Sequence, residues 1–253
     1  MSDSIIRPEM LDHWKRHGFL VVRGVYGRER MAEITACVEE IQNWPETAGR
    51  HMMYFETSDA RPGERLLNRV ENFAPYHDGM NRMFGGELRD ACGRLFGEEA
   101  VLFKEKINFK LPGGGGFEAH QDAQAGWEVY APLFITATVI VDPATVENGC
   151  LEIADWDHRE ALIGDLWKPL EGAQLDGLDF VPCPGEPGDV LFFDSYVPHR
   201  SAPNPTADAR RVLYITYNKA SDGDWREKYY ADKRASYPPD IERQPGKEYA
   251  YKV

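Results

Sequence analysis

The chain has 253 residues, a formal net charge of −13, and 42% hydrophobic against 28% charged residues. That composition is of a water-facing globular fold long enough for one well-buried core. So acidic a surface excludes the basic patch that nucleic acid or an anionic membrane requires, and it weighs against a large polyanionic substrate such as an acyl-CoA. No apolar run approaches the ~20 residues of a membrane span, and no leader-like segment precedes the first helix. Cys37, Cys92, Cys150 and Cys183 are scattered, without Cys-x-x-Cys or zinc spacing; a reducing cytoplasm is the expected compartment.

Residues 8–17 predict a short amphipathic helix, with Leu11 and Trp14 on one face and Gly18 just past its end. Phe19 to Val22 is a strand. Residues 28–43 carry Met31, Ile34, Val38 and Ile41 at helical spacing, a core-packing stripe. Residues 44–79 are irregular, with Tyr54-Phe55-Glu56 and Leu67 to Phe73 as short strands or ordered loops. Arg69, Asn72, Tyr76 and His77 either reach over the site as a lid or tie the loop down by hydrogen bonds. Residues 80–97 predict a second helix, closed by Gly97.

Val101 to Lys110 then alternates, placing Lys104, Lys106, Asn108 and Lys110 on one face. A polar inward face is costly unless it finds partners. Lys106 and Asn108 therefore line a cosubstrate or substrate pocket, or else the face is the solvent side of an edge strand. Leu133 to Val141 is a further apolar strand, within which Thr136 and Thr138 are candidate hydrogen-bond donors. Asp142 to Gly149 turns into a strand at Cys150 to Ile153. Residues 155–180 are an insertion with Trp156, His158 and Trp167, and His158 is read as structural. A Gly/Pro turn at 184–189 aims the strand Asp189 to Asp194, and Arg211 to Tyr217 is another strand. Residues 222–235 are helical and charged, and the tail from Pro238 to Val253 is extended on the surface. The whole reads as one domain, 1–253.

The chemistry centres on His120 and Asp122, just after the turn Gly113 to Gly116. In an extended segment, residues i and i+2 share a face. One imidazole nitrogen and one carboxylate oxygen can thus meet at a point. His-x-Asp alone is a weak signal, and His120 taken singly reads as a surface histidine. His199, after the 189–194 strand, supplies a third ligand. Two histidines and one carboxylate with open positions suit a non-haem Fe(II) oxygenase. Arg210 lies eleven residues beyond His199, and its planar fork suits the distal carboxylate of 2-oxoglutarate.

Lys104-Glu105-Lys106-Ile107-Asn108, His120-Gln121-Asp122, Val146 to Leu151, Pro187 to Phe192, and His199-x-Ser201-x-x-Asn204 with Arg210 together resemble the phytanoyl-CoA dioxygenase family. The opening Trp14 to Gly24 resembles that family's first helix and strand. The resemblance runs to about Asn218. It implies a mainly β fold with flanking α-helices, the double-stranded β-helix (a jelly-roll of cupin type). It also implies Fe(II) on His120, Asp122 and His199, 2-oxoglutarate held by Arg210 with Lys106, Asn108 and Thr138, and O2 as oxidant. The family spacing selects Arg210 over Arg211. Some relatives carry a serine where Val212 stands, so the second donor to the keto acid comes from Lys106, Asn108 or Thr138. Halogenases of this type have a small residue at the position of Asp122, so a carboxylate there implies hydroxylation.

Arg69 to Phe73, Tyr76-His77, Phe103 to Asn108 and Tyr214 to Asn218 look most similar to bacterial hydroxylases of small aminoalkylphosphonates, such as 2-aminoethylphosphonate and its N-methylated forms. Arg69, Asn72, Lys104, Trp127 and Tyr214 are then the candidate substrate contacts, with Glu71 or Glu128 for an ammonium. A small-molecule substrate, and neither nucleic acid nor membrane, is the implied partner. Three alternatives stay open: an oxygenase tailoring another small metabolite in natural-product biosynthesis, a zinc hydrolase or lyase on the same ligands, and a non-catalytic cupin-like binding protein.

Overall fold

The computed structural model describes residues 4–58 and 60–249. The chain opens with α1 (Leu11–His17) and β1 (Phe19–Val22), then α2 (Arg28–Gln42), β2 (Met52–Thr57), β3 (Arg65–Glu71), α3 (Asp78–Phe84) and α4 (Glu87–Phe96). There follow β4 (Ala100–Lys110), β5 (Phe117–His120), β6 (Phe134–Ile140), β7 (Leu151–Asp155), β8 (Asp179–Cys183), β9 (Val190–Asp194), β10 (His199–Ser201), β11 (Arg210–Lys219) and α5 (Arg226–Ser236). The strands form a seven-stranded sheet in the order β1-β9-β6-β11-β4-β3-β2 and a four-stranded sheet in the order β5-β10-β7-β8. Every pairing is antiparallel. This is the double-stranded β-helix with helical support that the sequence implies.

The two faces of the large sheet follow from alternation. On β11, Leu213, Ile215 and Tyr217 join Ile107, Phe109, Ile135, Ala137, Val139 and Phe192 against the helices. The buried stripe of α2 (Met31, Ile34, Val38 and Ile41) packs into the same cluster. Each such side chain contributes about 1.5–3 kcal/mol on removal from water. The opposite residues, Val212 and Tyr214, pack with Leu151, Ile153, Leu191 and Phe193 between the sheets. Gly188 takes φ 97, and a Cβ there would lie 2.2 Å from the Tyr26 carbonyl oxygen. Only glycine makes the close turn that sets β9 beside β1.

Three expectations change. The helix predicted over 80–97 is two helices broken at Gly85-Gly86, with Gly86 at φ −100 and ψ −134. Two adjacent glycines are poor helix formers, costing about 1 kcal/mol each relative to alanine. The solvent-edge alternative for residues 101–110 falls, because β4 lies between β11 and β3 and Lys104, Asn108 and Lys110 are all buried. The end of the 155–180 insertion is a strand, β8, whose Pro182 is tolerated because β8 is an edge. Of the extended tail, the last four residues lie outside the described residues.

A candidate metal centre beside a charged cavity

His120 ends β5 and His199 opens β10, and the two are register partners across that strand pair. Their ring centroids are 4.3 Å apart. Asp122 begins a short 3-10 turn, and its Oδ1 lies 3.9 Å from His120 Nε2. One ligand atom from each of His120, Asp122 and His199 lies within 4.8 Å of the others, and no other such cluster exists among the described residues. His158 stands apart, its Nε2 2.7 Å from the Asp194 carboxylate and away from the triad.

Both imidazoles are pre-oriented. Nδ1 of His120 lies 2.7 Å from the Glu118 carbonyl oxygen, and Nδ1 of His199 lies 3.0 Å from that of Val197. A proton on each Nδ1 leaves each Nε2 lone pair for a metal. Burial, then the charge of His199, pushes His120 down to about 3. Burial likewise lowers His199, while the two histidines and Lys106 hold Asp122 below its ordinary value against its own burial. All three groups therefore stand in ligand form at neutral pH.

The turn that carries Asp122 is fixed by two buried glutamines. The Gln121 N–H donates to Gln124 Oε1, and Gln121 Nε2 donates to the carbonyls of Ala161 and Tyr196. Gln124 Nε2 donates to the carbonyls of Asp165 and Lys168. The insertion is thus bonded onto the metal loop. Trp167 sits against Gly126, where a Cβ would come 2.4 Å from its ring. Sequence reasoning missed both glutamines; their spacing, three apart with a potential ligand between them, was the available signal.

Behind the triad, Arg210 is 1% exposed, with Nε and Nη2 lacking a protein partner. The Thr138 hydroxyl and the Asn108 amide oxygen are also buried and unpartnered. Arg210, Thr138, Val212 and Tyr214 line one narrow recess. Tyr214 faces both Arg210 and Asn108, and burial raises its hydroxyl, so it stays a neutral donor. A guanidinium and the Thr138 hydroxyl without internal partners, with the Tyr214 hydroxyl beside them, suit a carboxylate. Val212 brings no polar side-chain atom to this recess, whereas Thr138 and Tyr214 bring a hydroxyl each. Nearby, Lys110 donates to Ser201 Oγ at 2.8 Å and to the Ala202 carbonyl, and Asn204 donates to the Lys110 carbonyl at 2.9 Å. Ser201 and Asn204 thus orient the loop after His199.

In front of the triad lies a cavity of about 390 Å³ lined by Asp122, Glu71, Lys104, Lys106, Trp127, Tyr229, Lys233 and Tyr237. Lys104 lies over the rings of Trp127 and Tyr229, at 4.9 and 5.4 Å from their centroids. Lys106 lies 4.8 Å from the centre of the Tyr214 ring, and burial, then the charge of Lys104, pushes it down to about 8. A second cavity of about 320 Å³ continues past Arg69, Tyr54 and His120.

Several expected contacts are placed elsewhere. Asn72 accepts from Arg226 at 3.0 Å, its N–H donates to the Tyr230 hydroxyl, and it lines neither cavity. His77 caps α3 through Nδ1, and Tyr76 lies under the Arg50 guanidinium, so both tie down a loop and form no lid. Glu71 is bonded by Arg69 and Lys233, and Glu128 is exposed, so neither offers an open carboxylate to an ammonium. In exchange α5 brings Tyr229, Asp232, Lys233 and Ser236 to the cavity wall. The sequence marks that segment only as a charged helix.

A family model described as phytanoyl-CoA dioxygenase matches residues 14–212. A 2-aminoethylphosphonate dioxygenase from uncultured bacterium HF130_AEPn_1 is 42% identical, covering 98% of this chain and 95% of its own length. A methylphosphonate hydroxylase from Gimesia maris is 41% identical, over 93% of this chain and 89% of its own length. Among solved structures, that of EctD from S. alaskensis with bound Fe superposes with a TM-score of 0.72 at 21% identity, covering 88% of this chain and 80% of that one.

Proposed function

The chain belongs to the phytanoyl-CoA dioxygenase family and is an Fe(II)- and 2-oxoglutarate-dependent oxygenase; from that premise we propose that it hydroxylates a small organophosphonate, 2-aminoethylphosphonate or a close relative. His120, Asp122 and His199 would hold the iron through two imidazoles and one carboxylate, the donor set that suits it. Arg210, with Thr138 and Tyr214, would take the distal carboxylate of 2-oxoglutarate, and Asn108 and Lys106 would flank it. When bound, iron with 2-oxoglutarate and O2 supplies the oxidation of a C–H bond to an alcohol, with release of succinate and CO2.

The protein's own part is to orient and to exclude water. The Nδ1 contacts of the histidines to backbone carbonyls fix both rings. Trp127 and Tyr229 wall the cavity with apolar surface that disfavours a hydrated substrate pose. The observation that carries the substrate reading is Lys104. It lines the cavity next to Asp122, is 6% exposed, and makes no ion pair or hydrogen bond to any described residue. Glu71 and Asp122 lie near enough to feel its charge, but neither accepts a hydrogen bond from it; an ammonium lacking an acceptor in an enclosed site is costly, and a phosphonate would supply one. Both relatives reported above are named for a phosphonate.

Zinc hydrolysis and a silent binding role both give way to family membership. We assign the catalytic domain to residues 1–253 as a whole and the setting to a reducing cytoplasm. That setting is supported by four unpaired thiols. No described helix is long and apolar enough to cross a membrane. The test is succinate formation by Fe(II)-reconstituted enzyme with 2-oxoglutarate and O2, across small phosphonates, amines and amino acids. Stimulation by a phosphonate, with a product one oxygen heavier, is the expected result; stimulation by amines or amino acids alone sinks the phosphonate reading.

A further inference from the structure

Lys233 lies on α5, beyond the residues 14–212 that the family model matches. Its Nζ donates to both Glu71 oxygens at 2.8 and 2.6 Å, and its side chain is only 14% exposed. The Arg69 Nε–H donates to the same carboxylate at 2.7 Å. Lys104 and Lys233 share one aromatic neighbour, at 5.4 and 5.8 Å from the centroid of Tyr229. Three cations thus crowd one carboxylate that is 1% exposed. Glu71 balances one of them; the cavity wall carries Lys104, Lys106 and Lys233 against Glu71, Asp122 and Asp232, and the ammonium groups of Lys104 and Lys233 both stand beside Tyr229. Two neighbouring ammonium groups in a site walled from water attract a multiply charged anion more strongly than the same pair at a surface.

We propose that Lys233 is a specificity-determining residue, which with Lys104 grips the doubly charged phosphonate group while Glu71 holds Lys233 in place. The proposal rests on the phosphonate reading above. It assigns Glu71 to positioning, and it locates substrate selection on α5, beyond the residues 14–212 that the family model matches. A carboxylate substrate, with one charge and two oxygens, offers the two ammonium groups less charge and fewer acceptors than a phosphonate, with two charges and three oxygens.

The test compares wild type with Lys233→Met, Lys233→Arg and Glu71→Gln, using 2-aminoethylphosphonate and methylphosphonate as probes and 3-aminopropanoate as the carboxylate counterpart. Lys233→Met is expected to raise the phosphonate KM tenfold or more, with kcat within threefold and the anaerobic Kd for 2-oxoglutarate unchanged. The preference for phosphonate over carboxylate is expected to shrink with it. Lys233→Arg is expected to recover most of the KM, and Glu71→Gln to raise it less than Lys233→Met does. Should the methionine variant lose 2-oxoglutarate affinity or fail to fold, Lys233→Gln is read in its place. An unchanged phosphonate KM in the neutral variants overturns the role of Lys233. A wild type that neither phosphonate stimulates overturns the reading beneath it, and this proposal with it.

Discussion

At the scale of single residues, each member of the site has one separable job. On the proposed assignment His199 would offer Nε2 to the metal, because its Nδ1 lies 3.0 Å from the Val197 carbonyl oxygen. Replacing it by alanine is expected to abolish iron-dependent succinate formation, measured with the anaerobically loaded protein. Arg210 is buried behind the metal with two nitrogens unpartnered. Losing its charge-assisted bonds to a carboxylate costs about 1.5–3 kcal/mol. Arg210→Ala is therefore expected to weaken 2-oxoglutarate binding about 10- to 100-fold, while iron still binds; titrations of each ligand separate the two. Lys110 gives a pH signature. Burial, then the charge of Arg210, pushes it down to about 7. Between that value and the ordinary lysine range near 10.4, the unfolded chain binds more protons than the folded one. Relative to Lys110→Met, the wild type should therefore gain stability as pH rises from 7 toward 10, read from paired denaturant titrations. A flat difference removes the assignment.

At the scale of elements, α5 is the decisive piece. It docks on the outer side of β4 through a buried network. Arg226 bonds both oxygens of Glu105, which is 0% exposed, and the Tyr230 hydroxyl donates to the Glu105 carbonyl. The Ala74 N–H donates to Glu105 as well. Breaking a buried pair leaves a charge without compensation, at about 3–5 kcal/mol. Arg226→Met is expected to destabilise by that order and to speed hydrogen exchange in α5 before the sheets respond. The turn before β9 is the second sensitive element. Gly188→Ala places a Cβ against the Tyr26 carbonyl at a φ that L residues avoid, at a cost of at least about 2 kcal/mol. A melting temperature equal to wild type counts against that packing.

At the scale of the whole molecule, the ligands come from two strands and a turn of the small sheet, while the anion cradle comes from the large one. On the proposed assignment, metal and cosubstrate together would bridge the sheets. Ligands that bind only the folded state raise its stability by mass action. With Fe(II) under anaerobic conditions, 2-oxoglutarate is expected to raise Tm further than either alone adds, and His199→Ala to lose the combined effect. Purely additive shifts in the wild type oppose a shared site.

The sequence by itself determined the class of chemistry. The residue types and spacing of His120, Asp122, His199 and Arg210 pointed to a ligand set, three of whose members the fold brings together, and strand alternation is enough to put Lys104, Lys106 and Asn108 on one face. It also determined the β-helix class, because short strands between Gly/Pro turns have few other ways to bury alternating faces. Only the tertiary structure decided who faces the substrate. Asn72 and Glu71 look like polar contacts in a linear reading, yet their partners, Arg226 and Lys233, stand more than 150 residues away and occupy them. No local pattern reports such a partner. A charged helix reads as a solvated face until the packing turns one side, with Tyr229 and Lys233, into the wall of the cavity.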